Sequence, residues 1–367
     1  MDRFEVQPDA CRQRQVRLQQ IMQERGVDLA VVTLPEHVQY LAGPRFGPVF
    51  QPVAALTSEG HLTLVAPARR LPEIHAADEV LPYEAQWHST LRNDQRAEAI
   101  GVLEKSVSFR GVNRVGVEFS SSSRHLSWTG EFVDLEPDFY RLRRCKDSAE
   151  LQLIRKAIDG TQRMYERARE IIEPGINELV VFNELQAAAV KEFGEPLTGT
   201  GNDYRCNARG GPPRDREAAA GELYVLDLGP AFRGYFADNA RTIAVTEPTD
   251  LQLEAHAYCM RVLQHVEENV RPGKSARELF QEAEEILRQA PVGEFNHHLG
   301  HGIGLFPHET PHLNPHWDDV FQKGDVFTAE PGLYAPELQA GIRIEDDFLV
   351  TDEGIERLTH FPHELML

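Results

Sequence analysis

The sequence predicts an α/β amino-terminal domain over residues 1–145, followed by an α+β domain over 146–367 that repeats one motif twice. The length of 367 residues suits two domains of about 150 residues or somewhat more. Helical and β-branched segments alternate through the first part, and a helix–helix–hairpin order occurs twice after it.

Residues 10–25 are polar and helical in period, with Val16, Ile21 and Met22 on a weak apolar stripe and Gly26 as the stop. Leu29–Leu34 is a β-branched run. Val53–Leu56 and Leu62–Val65 flank Ser58-Glu59-Gly60, a hairpin turn. Val115–Phe119 is a further strand, and Ser120–Ser123 has the composition of a helix start. The histidines here (His37, His61, His75, His88 and His125) are dispersed, so surface or structural roles are expected.

Asp147 with Glu150 three residues on is a helix-start signature, and a helical pattern runs from there to about Ile172. Pro174-Gly175, a helix over about 177–193, a Gly/Pro-rich loop and a strand pair at 223–245 complete the first unit. The second unit has helices at about 250–270 and 275–289 around Pro272-Gly273, a His-rich segment and a strand pair at 326–350. Two halves related by a pseudo-twofold, with their hairpins meeting in one sheet, are expected.

Thirty-eight basic against fifty-eight acidic side chains leave a net charge of -20, which disfavours nucleic acid and anionic membrane as partners. With 41 % hydrophobic residues the chain can bury a core, so wholesale disorder is excluded. No apolar run approaches the roughly 20 residues of a membrane span, and the start lacks a signal-peptide core. Cys11, Cys145, Cys206 and Cys259 are scattered without a CxxC pair, so lone buried thiols and a reducing cytoplasm are expected.

The hairpins carry the chemistry. Asp227 interrupts an apolar strand and Asp238 sits on its return; Glu330 and Glu345 repeat the feature in the second unit. One such carboxylate is ordinarily solvated or ion-paired, but four in two equivalent hairpins would repel unless cations join them. Two divalent ions would balance four carboxylates and acidify a bridging water. Six of the fifteen histidines fall between positions 297 and 316, and Gly300-His301-Gly302 surrounds one with glycine. An imidazole among carboxylates suits Mn²⁺, Zn²⁺, Fe²⁺ or Co²⁺. His312 and His316, between prolines, read as a solvated loop.

Together these segments resemble the aminopeptidase P, prolidase and creatinase-like metallopeptidases. The likeness rests on Val-Leu-Asp227-Leu-Gly, Asp238-x-x-Arg-Thr, His297-x-x-Gly-His301-Gly, His308-Glu-x-Pro, Glu330-Pro-Gly-Leu-Tyr and Gly-Ile-Arg-Ile-Glu345-Asp. The resemblance implies a creatinase-like amino-terminal domain, a pseudo-twofold pita-bread domain, a homodimer and two divalent metal ions, manganese first, with zinc, cobalt or iron also compatible. It makes Asp227, Asp238, His301, Glu330 and Glu345 the metal ligands. Glu330, His308 and His297 become catalytic, and His297, His308 and Arg343 line the substrate pocket. The reaction implied is attack of a metal-bridging hydroxide on the carbonyl of an Xaa-Pro bond in a small peptide.

The family also places a histidine in the loop before the first hairpin. That position is Gly210 here, and no histidine occurs between His125 and His256. Three readings follow: Arg209 (or Arg205 or Cys206) supplies a replacement donor with altered substrate preference, the site acts on a non-peptide or unusual substrate, or the fold serves as a non-catalytic binding protein. An Xaa-Pro assay with Mn²⁺ separates the first from the others, metal analysis singles out the third, and Gly210→His switching on cleavage in an otherwise idle protein would show that the chain acts on something else.

Overall fold

In the computed structural model, which describes residues 4–107, 111–121 and 125–366, the chain divides into Met1–Arg143 and Arg144–Leu367. The first unit begins with α1 (Pro8–Arg25), which ends where Gly26 turns left-handed at φ 64° and caps the last carbonyls. Its buried face is Cys11, Arg14, Gln15, Leu18 and Met22, whereas Val16 is exposed, so the apolar stripe read from the sequence is off by part of a turn. Then follow β1 (Leu29–Val32), α2 (Pro35–Ala42), β2 (Val53–Thr57), β3 (Leu62–Pro67), β4 (Glu79–Tyr83) and the short pair β5 (Gln86–Trp87) and β6 (Thr90–Leu91). The unit closes with α3 (Gln95–Ser106), β7 (Arg114–Val117), β8 (Glu131–Asp134) and α4 (Glu136–Arg144). Six strands form one sheet in the order β4-β3-β2-β1-β7-β8, and the hairpin β2–β3 pairs Val53 with Val65 as its turn signal implies.

No helix starts at the serine cluster among the described residues; Ser122 and Ser123 lie outside them. The hydroxyls of the other two are engaged elsewhere: Ser120 Oγ with Glu136 and Ser121 Oγ with Thr33 Oγ1, so neither is free to cap. His37 is fully buried, hydrogen-bonded to Glu118 (2.7 Å) and Arg143 (2.7 Å) and stacked on Phe139, a structural role.

The second unit runs α5 (Ser148–Ile171), α6 (Glu178–Phe193), β9 (Asp203–Cys206), β10 (Leu223–Leu228), β11 (Ala231–Phe232), β12 (Tyr235–Phe236) and β13 (Asn239–Ala244). The Asp147 carboxylate accepts from the amides of Ala149 and Glu150 while Glu150 reaches back, so the helix start forms a full capping box. The repeat then gives α7 (Asp250–Asn269), α8 (Ala276–Leu287), β14 (Gly300–Gly302), β15 (Glu309–Leu313), β16 (Val326–Ala329), β17 (Gly332–Ala335), β18 (Ala340–Arg343), β19 (Asp346–Val350) and β20 (Ile355–Arg357). Helices α5 and α6 pack together beside the first hairpin, α7 against β17 and β18, and α8 against β15. Among the described residues, no helix is long and apolar enough to cross a membrane.

The two hairpins do not share one sheet. They lie in separate sheets, β13-β10-β9 and β15-β14-β16-β19-β20, with β17–β18 a third. Within the second hairpin, Pro331 has no N–H to continue the ladder after Glu330, so β16 ends at Ala329 and β17 begins afresh. The halves are stitched instead by Glu345 N–H donating to the Ala240 carbonyl (2.9 Å) and by Arg241. This arginine is 1 % exposed; it donates to the Glu345 carbonyl (2.8 Å), to Asp346 (2.7 Å) and to the Pro362 carbonyl (2.8 Å).

None of the four cysteines forms a disulfide; three are buried, but Cys145 is only half-buried. His312 belongs to β15 rather than to a solvated loop, because Asp319 accepts from its ring (2.9 Å) and Trp317 stacks on it; His316 is exposed.

Arg241→Leu leaves Asp346 buried without its guanidinium. A loss of about 3–5 kcal/mol in unfolding free energy is expected from urea denaturation, and Arg241→Lys should recover only part because lysine lacks the planar fork.

Candidate metal centre

Asp227 points from β10, and Asp238 immediately precedes β13. In the second repeat, Glu330 and Glu345 occupy the joints between β16 and β17 and between β18 and β19. His301 comes from β14, pressed close to β16: a Cβ on neighbouring Gly300 would lie 2.0 Å from the Thr328 carbonyl oxygen, so only glycine fits. The structure brings Asp227, Asp238, His301, Glu330, Glu345, His297, His308, Arg343 and Arg209 to the lining of one cleft.

Ligand atoms converge in three groups, each within 4.8 Å: Asp227, Glu330 and Glu345; Asp238, His301 and Glu345; and His298, His301 and His308. The His301 Nδ1 hydrogen-bonds the Gly302 carbonyl (3.0 Å), which directs Nε2 to 3.7 Å from both Asp238 and Glu330. Glu330 is fixed by its amide to the Leu299 carbonyl (2.7 Å) and by His298 Nε2 at 2.6 Å from Oε1. Glu345 Oε2 is buried with no hydrogen-bond partner among the described residues. A buried carboxylate oxygen without a donor is costly, and two of the three groups mix it with imidazole or further carboxylates, the hard and borderline set that divalent ions take. The residues fit such ions.

Electrostatics point the same way. Burial raises the Asp227 carboxyl to about 6, against the opposing Arg343 charge. Burial and the neighbouring carboxylates push Asp238 and Glu345 well above the usual range. Burial would raise Glu330 too, but the His298 hydrogen bond and the surrounding imidazoles hold it low and ionised. Burial lowers His301 to about 3 and His297 to about 4, and lowers His308, so these imidazoles are neutral at pH 7.

Both ring nitrogens of His297 are engaged, Nδ1 with the His298 carbonyl (2.7 Å) and Nε2 with Tyr334 Oη (3.0 Å). His308 stacks on His301 with ring centroids 3.7 Å apart. Arg343 is spent on protein acceptors: Nε donates to Tyr334 Oη (2.7 Å), Nη1 to Asp203 (2.7 Å) and Asp227 (2.6 Å). Arg209 is exposed, its guanidinium 4.9 Å from the Tyr334 ring centroid. Sequence reasoning missed Asp203, His298 and Tyr334. His298 and Tyr334 stand inside the quoted motifs, whereas nothing local marks Asp203, whose partner Arg343 is 140 positions away. A histidine at position 210 would require the Asp203 carboxylate to move, since a Cβ there would lie 2.1 Å from Asp203 Oδ2.

Buried acids with imidazoles along an open cleft make the centre of a hydrolytic metalloenzyme. Residues 152–352 match the model of metallopeptidase family M24, and residues 14–145 match the creatinase/prolidase N-terminal domain. The chain belongs to metallopeptidase family M24. It is 27 % identical to an Xaa-Pro dipeptidase of Pyrococcus horikoshii, over 98 % of this chain and 100 % of that one. A prolidase structure from Pyrococcus horikoshii has TM-score 0.81 at 27 % identity, covering 96 % of this chain and 100 % of the other. An X-Pro aminopeptidase from Thermotoga maritima has TM-score 0.79 at 25 % identity, covering 96 % and 99 %.

Glu345→Gln removes a like charge from this cluster. In metal-free protein the thermal midpoint should rise by about 2–4 °C for each kcal/mol of repulsion relieved. The further rise that Mn²⁺ gives the parent should shrink, both read by scanning calorimetry with and without Mn²⁺.

Proposed function

We propose that the chain is a metal-dependent peptidase that hydrolyses Xaa-Pro bonds in small peptides, using two divalent ions, manganese first. The supporting observation is the convergence of Asp227, Asp238, His301, Glu330 and Glu345 on one cleft with a carboxylate oxygen of Glu345 left unpartnered. Full-length similarity to a protein named Xaa-Pro dipeptidase supports the substrate class. Asp227 would hold one ion, His301 and Glu330 the other, and Asp238 and Glu345 both. Four cysteines that form no disulfide fit a reducing, cytoplasmic setting.

When bound, the ions supply Lewis acidity at the scissile carbonyl and lower the pKa of water. Glu330, kept ionised, accepts the proton of the attacking water and passes it to the departing proline nitrogen. His308, neutral and on the cleft wall, donates a hydrogen bond to the charge that develops on the carbonyl oxygen. His297, clamped at both nitrogens, orients Tyr334 and through it Arg343, so its contribution is to hold this wall in place. Arg209 is the cation presented to the peptide, in keeping with its position at the cleft.

Mn²⁺-loaded protein should release proline from Ala-Pro. Glu330→Gln is expected to slow this by about 10²–10⁴-fold and His308→Ala by about 10²-fold in kcat, followed by proline release. No hydrolysis of Ala-Pro or of a longer Xaa-Pro peptide by protein carrying two Mn²⁺ would reject the peptidase.

A further inference from the structure

Asp203 opens β9 directly opposite Asp227 in the antiparallel register. Like charges facing each other across a strand pair repel, so the arrangement needs a cation between them. Arg343 Nη1 provides it, 2.7 Å from Asp203 Oδ2 and 2.6 Å from Asp227 Oδ2. The other oxygen, Asp203 Oδ1, accepts from the amide of Gly211 (2.6 Å). One carboxylate thus ties β9, the loop after it and the arginine behind the metal centre.

The same carboxylate accounts for Gly210. This glycine does not have a positive φ, so its backbone conformation is open to any residue. What excludes a side chain is space: a Cβ would meet Asp203 Oδ2 at 2.1 Å and Cγ at 2.6 Å.

We propose that Asp203 is a positioning residue of the metal centre: it fills the volume a side chain at position 210 would take, and it shares Arg343 with Asp227. Asp227 must turn lone pairs toward an ion while an arginine nitrogen competes for them. A second acceptor on that nitrogen divides the hydrogen bond and adds negative charge beside the ion, and both effects favour cation capture. With Asp203 gone, the guanidinium concentrates on Asp227. This inference rests on the metal reading above.

Calorimetric titration of the metal-free full chain with Mn²⁺, paired with Ala-Pro kinetics, tests it on Asp203→Asn, Gly210→His and the double variant Asp203→Gly/Gly210→His. Asp203→Asn should weaken Mn²⁺ binding by about tenfold, within the range seen when residues behind a metal's ligands are changed. Its deficit in kcat should be recovered by excess Mn²⁺ with KM unchanged, which a general loosening of the fold would not allow. Gly210→His should bind Mn²⁺ more weakly than the parent because its side chain displaces the Asp203 carboxylate, and the double variant, which lacks that carboxylate, should stay weaker than the parent. Asp203→Asn or the double variant binding Mn²⁺ like the parent would overturn the role of Asp203. A parent chain that takes up no Mn²⁺ would overturn the metal reading itself. If Gly210→His does not fold, the Asp203→Asn titration decides alone.

Discussion

Carboxylates crowd together in a protein interior only where positive charge is delivered to them, and this constraint organises the second unit. Asp203, Asp227, Asp238, Glu330, Glu345, Asp346 and Asp347 are drawn into one region. Two buried arginines serve its flanks: Arg343 takes Asp203 and Asp227, and Arg241 takes Asp346. Among the described residues neither Asp238 nor Glu345 has an arginine or lysine partner, and these two lie between the flanks. The scaffold therefore neutralises the rim of the acidic region and leaves its middle uncompensated. Such a distribution favours divalent ions over a permanent internal salt bridge.

The imidazoles complement that field by being uncharged. Burial suppresses protonation of His301, His297 and His308, so each offers a lone pair or an N–H at neutral pH rather than a competing positive charge. His298 is the exception, drawn toward protonation by its contact with Glu330. The division follows the chain: hairpins supply acids, and the glycine-flanked strand β14 supplies the imidazole that glycine lets approach them.

Much of this was legible in the sequence because it is encoded locally. A capping box is four residues wide, a hairpin is an alternation with a turn, and an acid in an apolar strand stands out against its neighbours. The repeat made the acids conspicuous by placing them at matching points. Features set by distant partners were not legible. Asp203 means nothing until Arg343 arrives from the other half, and the serine cluster looks like a helix start until Thr33 and Glu136 claim its hydroxyls. The single sheet expected from the repeat is not formed, because the two hairpins meet through isolated contacts such as Glu345 N–H to the Ala240 carbonyl rather than a continuous ladder. His312 was misjudged for a related reason, since flanking prolines suggested a loop while pairing with His301 made it a strand.

The seam between the repeats has a mechanical meaning. Glu345 N–H to the Ala240 carbonyl, Arg241 to the Glu345 carbonyl and Arg343 to Asp203 and Asp227 are among the threads that join the halves, and the acids from each side meet beside them. Neither half owns the centre. A cation held there would act as a rivet as well as a reagent, because the residues that would hold it come from both repeats. Losing the ion would slacken a joint that runs through the whole unit, and the shape of the cleft and its chemistry would be lost together.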